Sequence, residues 1–488
     1  MLKPTSSEIQ SYAADYSMIP LCREIYADVT TPIALLRKIA QVSNRYCLLE
    51  SVEGGERWGR YSFLGYDPLV HIVCKDHVVT TEYADGRCES VTTDQPNDIL
   101  RALMAQYKAP RIEGFPPFTG GLVGYYAYRM IGYAEPTLHL RSSDVDDFDL
   151  MLFDKVIAYD HLSQKINVIV NMPTDNVLEN YGTARAEIEK MIRLIREPMQ
   201  LPTAHKHCKP QFTCNVTKEE YCDIVNKTKQ HIVDGDIFQA VLSRRFETPY
   251  TDSLLDAYRV LRTTNPSPYM VYLHRDDIEL MSTSPETLVR LRNGRLSTFP
   301  VAGSRPRGAD KEQDLALEKD LLSDEKELAE HNMLVDLGRN DIGKLSQFGS
   351  VEVTDYQMIH RYSRIMHITS VVEGNILPKF DAFDAISTLL PAGTLSGAPK
   401  IRACEIIEEL EPCARGVYGG ALGYVDFTGN MDTCIAIRMA VKKNDRVTIQ
   451  AGGGIVADSV PENEYMESQN KAGAVIAAIE RAAEVDAD

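Results

Sequence analysis

Short stretches of alternating apolar and polar residues make up much of the N-terminal part of the chain. Positions 61–64, 78–83 and 165–170 show this two-residue period, and a largely apolar run follows at 237–242. Each of these patterns predicts a short β strand. Because helical periodicity recurs between them in both halves, the sequence predicts an α+β fold with largely antiparallel sheets.

One predicted helix has clear start and stop signals. Thr217 and Glu220 form the capping-box pattern, and Tyr221, Val225 and Ile232 recur behind them at helical spacing. The side chains of a capping box satisfy backbone N–H groups that a helix start leaves without partners. The Asp-Gly-Asp sequence at 234–236 is then expected to end the helix before the strand at 237–242.

Two later segments place pairs of acidic residues on helices. Apolar residues at heptad spacing from Leu321 to Val335 predict one helix that ends at Gly338. Glu327 and Glu330 are three residues apart and share a face of that helix.

A second predicted helix begins with the capping-box residues Ser459 and Glu462. It carries Glu464, Glu467 and Lys471 on one face. Since like charges at this spacing repel, a helix gains nothing from them unless a cation or a substrate meets them. Oxygen-rich pairs with no neighbouring His/Cys set suit a hard ion such as Mg²⁺. Two solvated acidic faces are the alternative interpretation.

Three glycines at 452–454 lie between a predicted strand and the start of this second helix. Glycines at such a junction let backbone N–H groups approach an anion. A plain strand-to-helix turn is the alternative.

Composition excludes several classes of partner. The 488 residues include 52 basic and 70 acidic side chains, which gives a net charge of −18, and no basic run stands out. A nucleic-acid or anionic-membrane partner is therefore not expected. No apolar run has the length of a membrane span or the pattern of a secretory signal, so we expect a cytoplasmic protein.

A proline-punctuated stretch at 198–210 divides the chain. It follows a charged amphipathic helix that ends near Arg196 and precedes the helix start at Thr217. We predict two regions, 15–197 and 211–482. The sequence shows no internal repeat.

Several motifs, taken in order, carry a resemblance to a known family. They are Gly-Asp-Ile-Phe-Gln (235–239), Ser-Thr-Ser-Pro-Glu (282–286), Pro-Val-Ala-Gly-Ser-Arg-Pro-Arg-Gly (300–308), the segment from Glu-Leu-Ala-Glu-His to Gly-Arg-Asn-Asp (327–341), Pro-Ala-Gly-Thr-Leu-Ser-Gly-Ala-Pro-Lys (391–400), the triple glycine at 452–454, Leu-Leu-Glu-Ser (48–51) and Asn-Pro-Ser-Pro-Tyr-Met (265–270). Together they resemble the chorismate-utilising enzymes, and within these the anthranilate synthase component I family. The resemblance covers nearly the whole chain.

The resemblance implies the family's fold, in which largely antiparallel sheets pack as a β-sandwich flanked by helices. The region 211–482 would be the chorismate-binding catalytic domain, and 15–197 would contribute to a tryptophan site. The implied activity is that of a Mg²⁺-dependent lyase that converts chorismate and ammonia to anthranilate and pyruvate, the first step of tryptophan biosynthesis.

The resemblance also implies roles for individual residues. The catalytic residues would be Glu286 as general acid for the departing C4 hydroxyl, His367 for pyruvate elimination, Gln239 and Lys471. The chorismate-binding residues would be Gly303, Ser304 (where the family usually has Thr), Tyr418, Arg438, Gly452, Gly453 and Gly454. The metal ligands would be Glu330 and Glu467, supported by Glu327 and Glu464. The residues around tryptophan would be Glu50, Ser51, Pro268, Tyr269 and Met270.

Two positions separate this chain from other members of the family. Relatives that use water as nucleophile carry Lys at the position of Gln239, and relatives with a covalent lysine carry it at the position of Ala302. Ammonia is therefore the expected nucleophile. An aminodeoxyisochorismate or isochorismate-type synthase, and a non-catalytic tryptophan- or chorismate-binding regulatory protein, are the alternatives.

The expected partners follow from the same resemblance. No glutaminase domain is evident after Lys471, so a separate glutamine amidotransferase subunit (anthranilate synthase component II) is implied as ammonia donor. Tryptophan would act as a feedback inhibitor.

Overall fold

Two antiparallel sheets form the body of the molecule. The structure is a computed structural model, and it describes residues 2–51, 59–198, 209–361 and 365–485. The strands are β1 (Leu2–Lys3), β2 (Met18–Tyr26), β3 (Arg45–Glu50), β4 (Tyr61–Tyr66), β5 (Val70–Lys75), β6 (Val78–Tyr83), β7 (Cys88–Thr92), β8 (Gly121–Tyr126), β9 (Phe148–Phe153), β10 (Lys155–Asp160), β11 (Lys165–Pro173), β12 (Thr213–Cys214), β13 (Gln239–Pro249), β14 (Tyr269–Arg275), β15 (Ile278–Ser284), β16 (Thr287–Arg292), β17 (Arg295–Thr298), β18 (Val301–Pro306), β19 (Glu352–Arg361), β20 (Ile365–Asn375), β21 (Gly397–Ala398), β22 (Ala421–Asp426), β23 (Met431–Ile435), β24 (Met439–Lys443) and β25 (Arg446–Ile455).

Helices cover the outer faces of both sheets. They are α1 (Ser6–Tyr12), α2 (Pro32–Ile39), α3 (Pro96–Ala105), α4 (Ile131–Ala134), α5 (Val177–Arg196), α6 (Lys218–Val233), α7 (Leu255–Thr264), α8 (Lys311–Ser323), α9 (Glu325–Gly343), α10 (Ala382–Leu389), α11 (Lys400–Leu410) and α12 (Pro461–Glu480). None of them, within the described ranges, is long and apolar enough to cross a membrane.

The two sheets pack face to face through one apolar cluster. Val156 and Val271 of the first sheet meet Val123 and Leu422 of the second there. A second cluster joins the other face of the first sheet to helices α2, α5, α7 and α12, and a third joins the second sheet to α3, α9 and α10. The predicted β-sandwich flanked by helices is confirmed.

The strand order reveals an internal repeat that the sequence does not. The first sheet runs β1-β2-β11-β10-β4-β3 and continues β14-β15-β24-β25-β13-β12. Each strand of the N-terminal part therefore has an equivalent, in reverse order, in the C-terminal part. β3 pairs with β14 in the first sheet and β8 with β22 in the second, so the two copies meet in both sheets. This repeat is one of strand order and not of residues, because the same topology needs only similar burial patterns.

Both sheets contain strands from both sides of the proline-rich boundary. Most of that boundary, 199–208, lies outside the described residues. The division into 15–197 and 211–482 stays a prediction.

The structure confirms some predicted helix boundaries and corrects others. Helix α6 has the Thr217 capping box, with the Glu220 N–H donating to Thr217 Oγ1 at 3.2 Å. The single helix expected from Leu321 to Gly338 is instead two, because Asp324 caps α9 by accepting from two backbone N–H groups. Helix α9 also continues through Gly338 to Gly343.

The start of α12 also differs from expectation. Its N-cap is Val460 with no side-chain cap, and Pro461 opens the first turn. Ser459 Oγ accepts from the Val456 N–H instead (3.1 Å), so the predicted capping box is not formed.

A buried ion pair in the segment after α11 contacts β13. Arg415 donates to both carboxylate oxygens of Glu411 (2.6 and 2.9 Å), and the two side chains are each 2% exposed. The same guanidinium donates to the carbonyls of Leu395 and Val241. Since each buried charge is paired and hydrogen-bonded, the group fixes three chain segments relative to one another.

Strands β13 and β25 approach each other closely at a glycine. A Cβ at Gly452 would lie 2.0 Å from the carbonyl oxygen of Leu242, whereas a Cβ at Gly454, two residues further, would meet nothing within 4 Å. A side chain at Gly452 would therefore push the two strands apart.

Alanine substitution at Gly452 and at Gly454 should distinguish two effects on stability: the clash with the neighbouring strand, and the general effect of replacing a glycine. We expect Gly452→Ala to lower the free energy of unfolding by about 3 kcal/mol or more, because a backbone atom cannot move aside as a side chain can. Gly454→Ala should change it by less than about 1 kcal/mol. Urea denaturation followed by circular dichroism measures both, and equal losses would contradict the close approach.

Candidate active site

The acids of α12 lie over the glycines of β25. A Cβ at Gly453 would be 3.1 Å from Glu464 Oε2 and 3.3 Å from Glu467 Oε1. Lys471 Nζ contacts Glu467 Oε1 at 2.6 Å and donates to the carbonyl of Gly452 at 3.2 Å. The glycines belong to β25 itself rather than to a turn, which corrects the sequence interpretation. Their missing side chains let two carboxylates and an ammonium group reach the backbone.

The acids of α9 approach the same region from another side. A Cβ at Gly303 of β18 would be 3.1 Å from Glu327 Oε2. Burial raises the pKa of Glu330, and the nearby charges of Glu327 and Glu467 raise it further. Because the charge of Glu467 reaches Glu330, the two acidic pairs belong to the same region of the molecule.

The type and number of these ligands fit a magnesium ion. Mg²⁺ usually takes one or two protein carboxylates and completes its shell with water and substrate oxygens. In the ranges that the structure describes, no three Asp, Glu, His or Cys side chains are close enough to hold an ion. A cation between Glu330 and Glu467 would therefore need oxygens from substrate and water.

Glu286 has the environment of a general acid. It follows strand β15, and Thr394 Oγ1 donates to its Oε1 at 2.9 Å. Burial raises the pKa of Glu286 to about 7, against the lowering effects of the Thr394 hydrogen bond and of the Lys471 charge. A carboxyl group with this pKa holds a proton for part of the time near neutrality and can donate it.

His367 lies on β20 opposite Ser304 of β18. Its Nδ1 is 3.1 Å from the carbonyl oxygen of Gly303, which favours the tautomer with the proton on Nδ1. Burial lowers the pKa of His367, and the Arg438 charge lowers it further. The imidazole is therefore neutral at pH 7 and can accept a proton.

Arg438 connects the strands to helix α12. It has a left-handed backbone (φ 50°) between β23 and β24, and with Asn463, Met466 and Glu467 it lines an open pocket. Burial lowers the pKa of Arg438, whereas Tyr418 and Glu467 raise it. A buried guanidinium at the mouth of a pocket suits a carboxylate ligand.

Tyr418 and Gln239 complete the set. Burial raises the pKa of Tyr418 to about 12, and a hydrogen bond with Gly452 partly opposes this. Its ring lies against the Arg415 guanidinium. Gln239 opens β13, where it pairs with Ala398, and its side chain is mostly buried.

Four of the predicted catalytic, substrate and metal residues are linked directly. The Lys471 charge lowers the pKa of Glu286, Lys471 forms an ion pair with Glu467, and the Glu467 charge raises the pKa of Arg438. Sequence reasoning missed Thr394, the hydrogen-bond donor to Glu286. The motif at 391–400 contained it, but a hydroxyl 108 residues from its acceptor gives no local signal.

A second cavity lies between the sheets where the two halves meet. It has a volume of about 390 Å³. All five residues predicted to surround tryptophan line it: Glu50, Ser51, Pro268, Tyr269 and Met270. Ser51 Oγ is buried and has no hydrogen-bond partner among the described residues, so it could bind a ligand.

Glu50 has a different environment from the one that a ligand-binding role predicts. Its two oxygens accept from Arg262 Nε and Nη2 at 3.0 Å, and its Oε2 accepts from Tyr258 OH at 2.9 Å. This geometry favours Glu50 as an anchor between β3 and α7.

Comparison with known proteins identifies the family to which the chain is related. A family model described as chorismate binding enzyme matches residues 47–477. Proteins named anthranilate synthase component 1 are 45% identical in Acetivibrio thermocellus, over 99% of this chain and 100% of that protein, and 45% identical in Pseudomonas aeruginosa, over 97% and 98%.

Solved structures give the same assignment. Anthranilate synthase component I from Streptococcus pneumoniae matches with a TM-score of 0.77 at 36% identity, covering 93% of this chain and 99% of that chain. The menaquinone-specific isochorismate synthase of Escherichia coli matches with a TM-score of 0.69 at 18% identity, covering 97% and 98%, and shares the fold. The chain therefore belongs to the chorismate-binding enzymes, among the anthranilate synthase component 1 proteins.

Proposed function

We propose that this protein converts chorismate and ammonia to anthranilate and pyruvate. The observation that carries the proposal is the partly buried Glu286, with a pKa of about 7 that the Lys471 charge lowers, in the same region as the acidic pairs of α9 and α12. This combination provides a proton donor next to a site for an anionic substrate.

Substrate binding follows from the charges at the site. Chorismate is a dianion, and Lys471 and the Arg438 guanidinium each suit one carboxylate. Tyr418 adds a hydroxyl donor, and Gly303 and Ser304 line the side of the site near His367. Backbone N–H groups at 452–454 are further donors to anionic oxygens.

The first step needs an acid. Ammonia forms a bond to C2 of the ring while the C4–O bond breaks, and the proton from Glu286 lets the hydroxyl depart as water. Gln239 is neutral and cannot act as the base that activates water, so ammonia is favoured over water as nucleophile.

The second step needs a base. Removal of the proton at C2 and cleavage of the C3–O bond make the ring aromatic and release the enolpyruvyl group as pyruvate. His367 is neutral at pH 7 and is the residue proposed to accept that proton.

Magnesium is proposed as the cofactor. When bound, Mg²⁺ would neutralise the ring carboxylate and orient it. Glu330 and Glu467 would hold the ion, and Glu327 and Glu464 would lie behind them.

A partner and a regulator complete the proposal. A glutamine amidotransferase subunit would supply ammonia, as the name component 1 of the relatives suggests. Tryptophan would bind in the cavity between the sheets and inhibit the reaction. Anchoring of β3 to α7 by Glu50, and packing of α7 on α12, give a physical route from that cavity to the site.

The first test is product formation. The purified chain should form fluorescent anthranilate from chorismate with ammonium and Mg²⁺, but not with glutamine, because we place glutamine hydrolysis on a separate subunit. EDTA should abolish the signal. Glu467→Gln should lower activity at least about 100-fold, whereas Glu462→Gln, an exposed acid on the same helix, should not. Isochorismate as the product, or no product, would refute the proposal.

The second test concerns the acid. Glu286→Gln should reduce kcat by about 10²–10⁴-fold. In the wild type, kcat/KM should fall as pH rises through about 7, because Glu286 loses its proton. Thr394→Val removes a hydrogen bond that lowers this pKa, so the decline should move to higher pH. An unchanged pH profile in Thr394→Val would argue against Glu286 as the titrating group.

The third test concerns regulation. Tryptophan should inhibit the ammonium-dependent reaction, and Ser51→Phe, which fills the cavity, should relieve inhibition with little change in uninhibited kcat. Ser90→Phe, on the exposed strand β7, is the matched control. Calorimetric titration with tryptophan should show binding to the wild type and to the control only. Equal inhibition of all three proteins would place the inhibitor elsewhere.

A further inference from the structure

Arg244, in the middle of β13, is a buried charge that the reaction does not use. It is 1% exposed, and its guanidinium reaches helix α12. Nε donates to Ser468 Oγ at 2.9 Å, and Nη2 donates to the Tyr465 carbonyl at 3.0 Å and to Gln469 Oε1 at 2.9 Å. Across the described parts of the chain, no carboxylate accepts from it.

Three aromatic rings surround the same guanidinium. Its Cζ lies 3.9 Å from the ring centroid of Tyr465, 4.9 Å from that of Phe246 and 5.6 Å from that of Tyr221. Stacking on aromatic faces and neutral hydrogen-bond acceptors both stabilise a buried guanidinium. The side chain is therefore held in one orientation, with specific partners on one turn of α12.

Those partners alternate in sequence with the functional side chains of α12. Tyr465, Ser468 and Gln469 contact Arg244. Tyr465 directly follows Glu464 in sequence, and Ser468 and Gln469 directly follow Glu467. Since successive helix residues are about 100° apart, a rotation that breaks the Arg244 contacts also turns the acidic face. A slide along the helix axis has the same effect.

The equivalent helix of the N-terminal half is attached differently. There Arg23 of β2 forms an ion pair with Glu189 of α5, and the two side chains are 36% and 41% exposed. The functional half instead has a buried arginine with carbonyl, hydroxyl and amide acceptors. The neutral acceptors leave the carboxylates of α12 available for other partners.

We propose that Arg244 is a positioning residue that sets the rotation of α12, and thereby the placement of Glu464, Glu467 and Lys471 toward metal and substrate. The inference rests on the proposed function, which assigns metal and substrate binding to this face of α12. A positioning role differs from a role in stability alone. If Arg244 positions α12, its loss must weaken the binding of metal and substrate by more than the accompanying loss of stability explains.

The test compares two variants that each weaken the attachment of α12. Arg244→Met removes the hydrogen bonds but keeps much of the apolar volume. Val475→Ala, also buried on α12, weakens the packing of the same helix without touching Arg244. For each protein we would measure Tm, the rise in Tm on adding Mg²⁺, the Mg²⁺ concentration that gives half-maximal activity, and the KM and kcat for chorismate.

We expect Arg244→Met to raise the Mg²⁺ requirement and the KM at least tenfold and to lose the Mg²⁺-dependent rise in Tm. Arg244→Lys should recover these only in part, because an ammonium group cannot make the same set of contacts. Val475→Ala should lower Tm and leave the Mg²⁺ requirement and KM within about twofold, as expected of a packing change away from the acidic face.

Identical Mg²⁺ requirement and KM in Arg244→Met and Val475→Ala would overturn the inference. If Arg244→Met does not fold, the double variant Ser468→Ala/Gln469→Ala removes two acceptors and should show the same shifts; normal values there would also overturn it. An inactive wild type would refute the proposed function instead, and the Mg²⁺-dependent change in Tm would still test the role of Arg244.

Discussion

The close pairing of β13 with β25 is the constraint on which the rest of the site depends. Because Gly452 allows the two backbones to approach and Gly453 leaves room above the strand, α12 can lie with Glu464 and Glu467 against the sheet. Any side chain there would lift the helix and move its carboxylates away from those of α9. Arg244 holds the same turn of the helix from the neighbouring strand β13, where it pairs with Ala451.

The buried Glu411–Arg415 ion pair is a second constraint on the site. The Glu411–Arg415 ion pair binds the carbonyls of Val241 and Leu395, and the Arg415 guanidinium also supports the ring of Tyr418. It therefore joins the strand of Gln239, the segment that contains Thr394 and the tyrosine of the site. Either charge would be strongly destabilising if it were buried without the other. Loss of one partner would therefore release all three segments.

Much of this arrangement could be predicted from the sequence. Local patterns placed α6, β13 and the acidic faces of α9 and α12, because capping and periodicity depend on neighbours in the chain. The break at Asp324 was missed although its N-cap signal was present, because heptad spacing continued across it. Contacts such as Arg262 with Glu50 and Thr394 with Glu286 could not be found in this way, since they join residues more than a hundred positions apart. The internal repeat was hidden for a related reason: two copies need to share only where the chain is buried.

That repeat has a consequence for how the chain can fold. The two halves are joined by the pairs β3–β14 and β8–β22, so neither half closes its own sheets. A half released alone, during synthesis or after cleavage near the boundary, would expose two strand edges with unpaired N–H and C=O groups, which are templates for aggregation. Strand β2 pairs with β11, and β13 pairs with β25, so in each half the two partners are separated by most of the sequence of that half. Pairings between strands so distant in sequence form slowly. The protein therefore carries its greatest risk of misassembly before its last strand is made. The completion of β25 removes that risk, and α12, which follows it, completes the site.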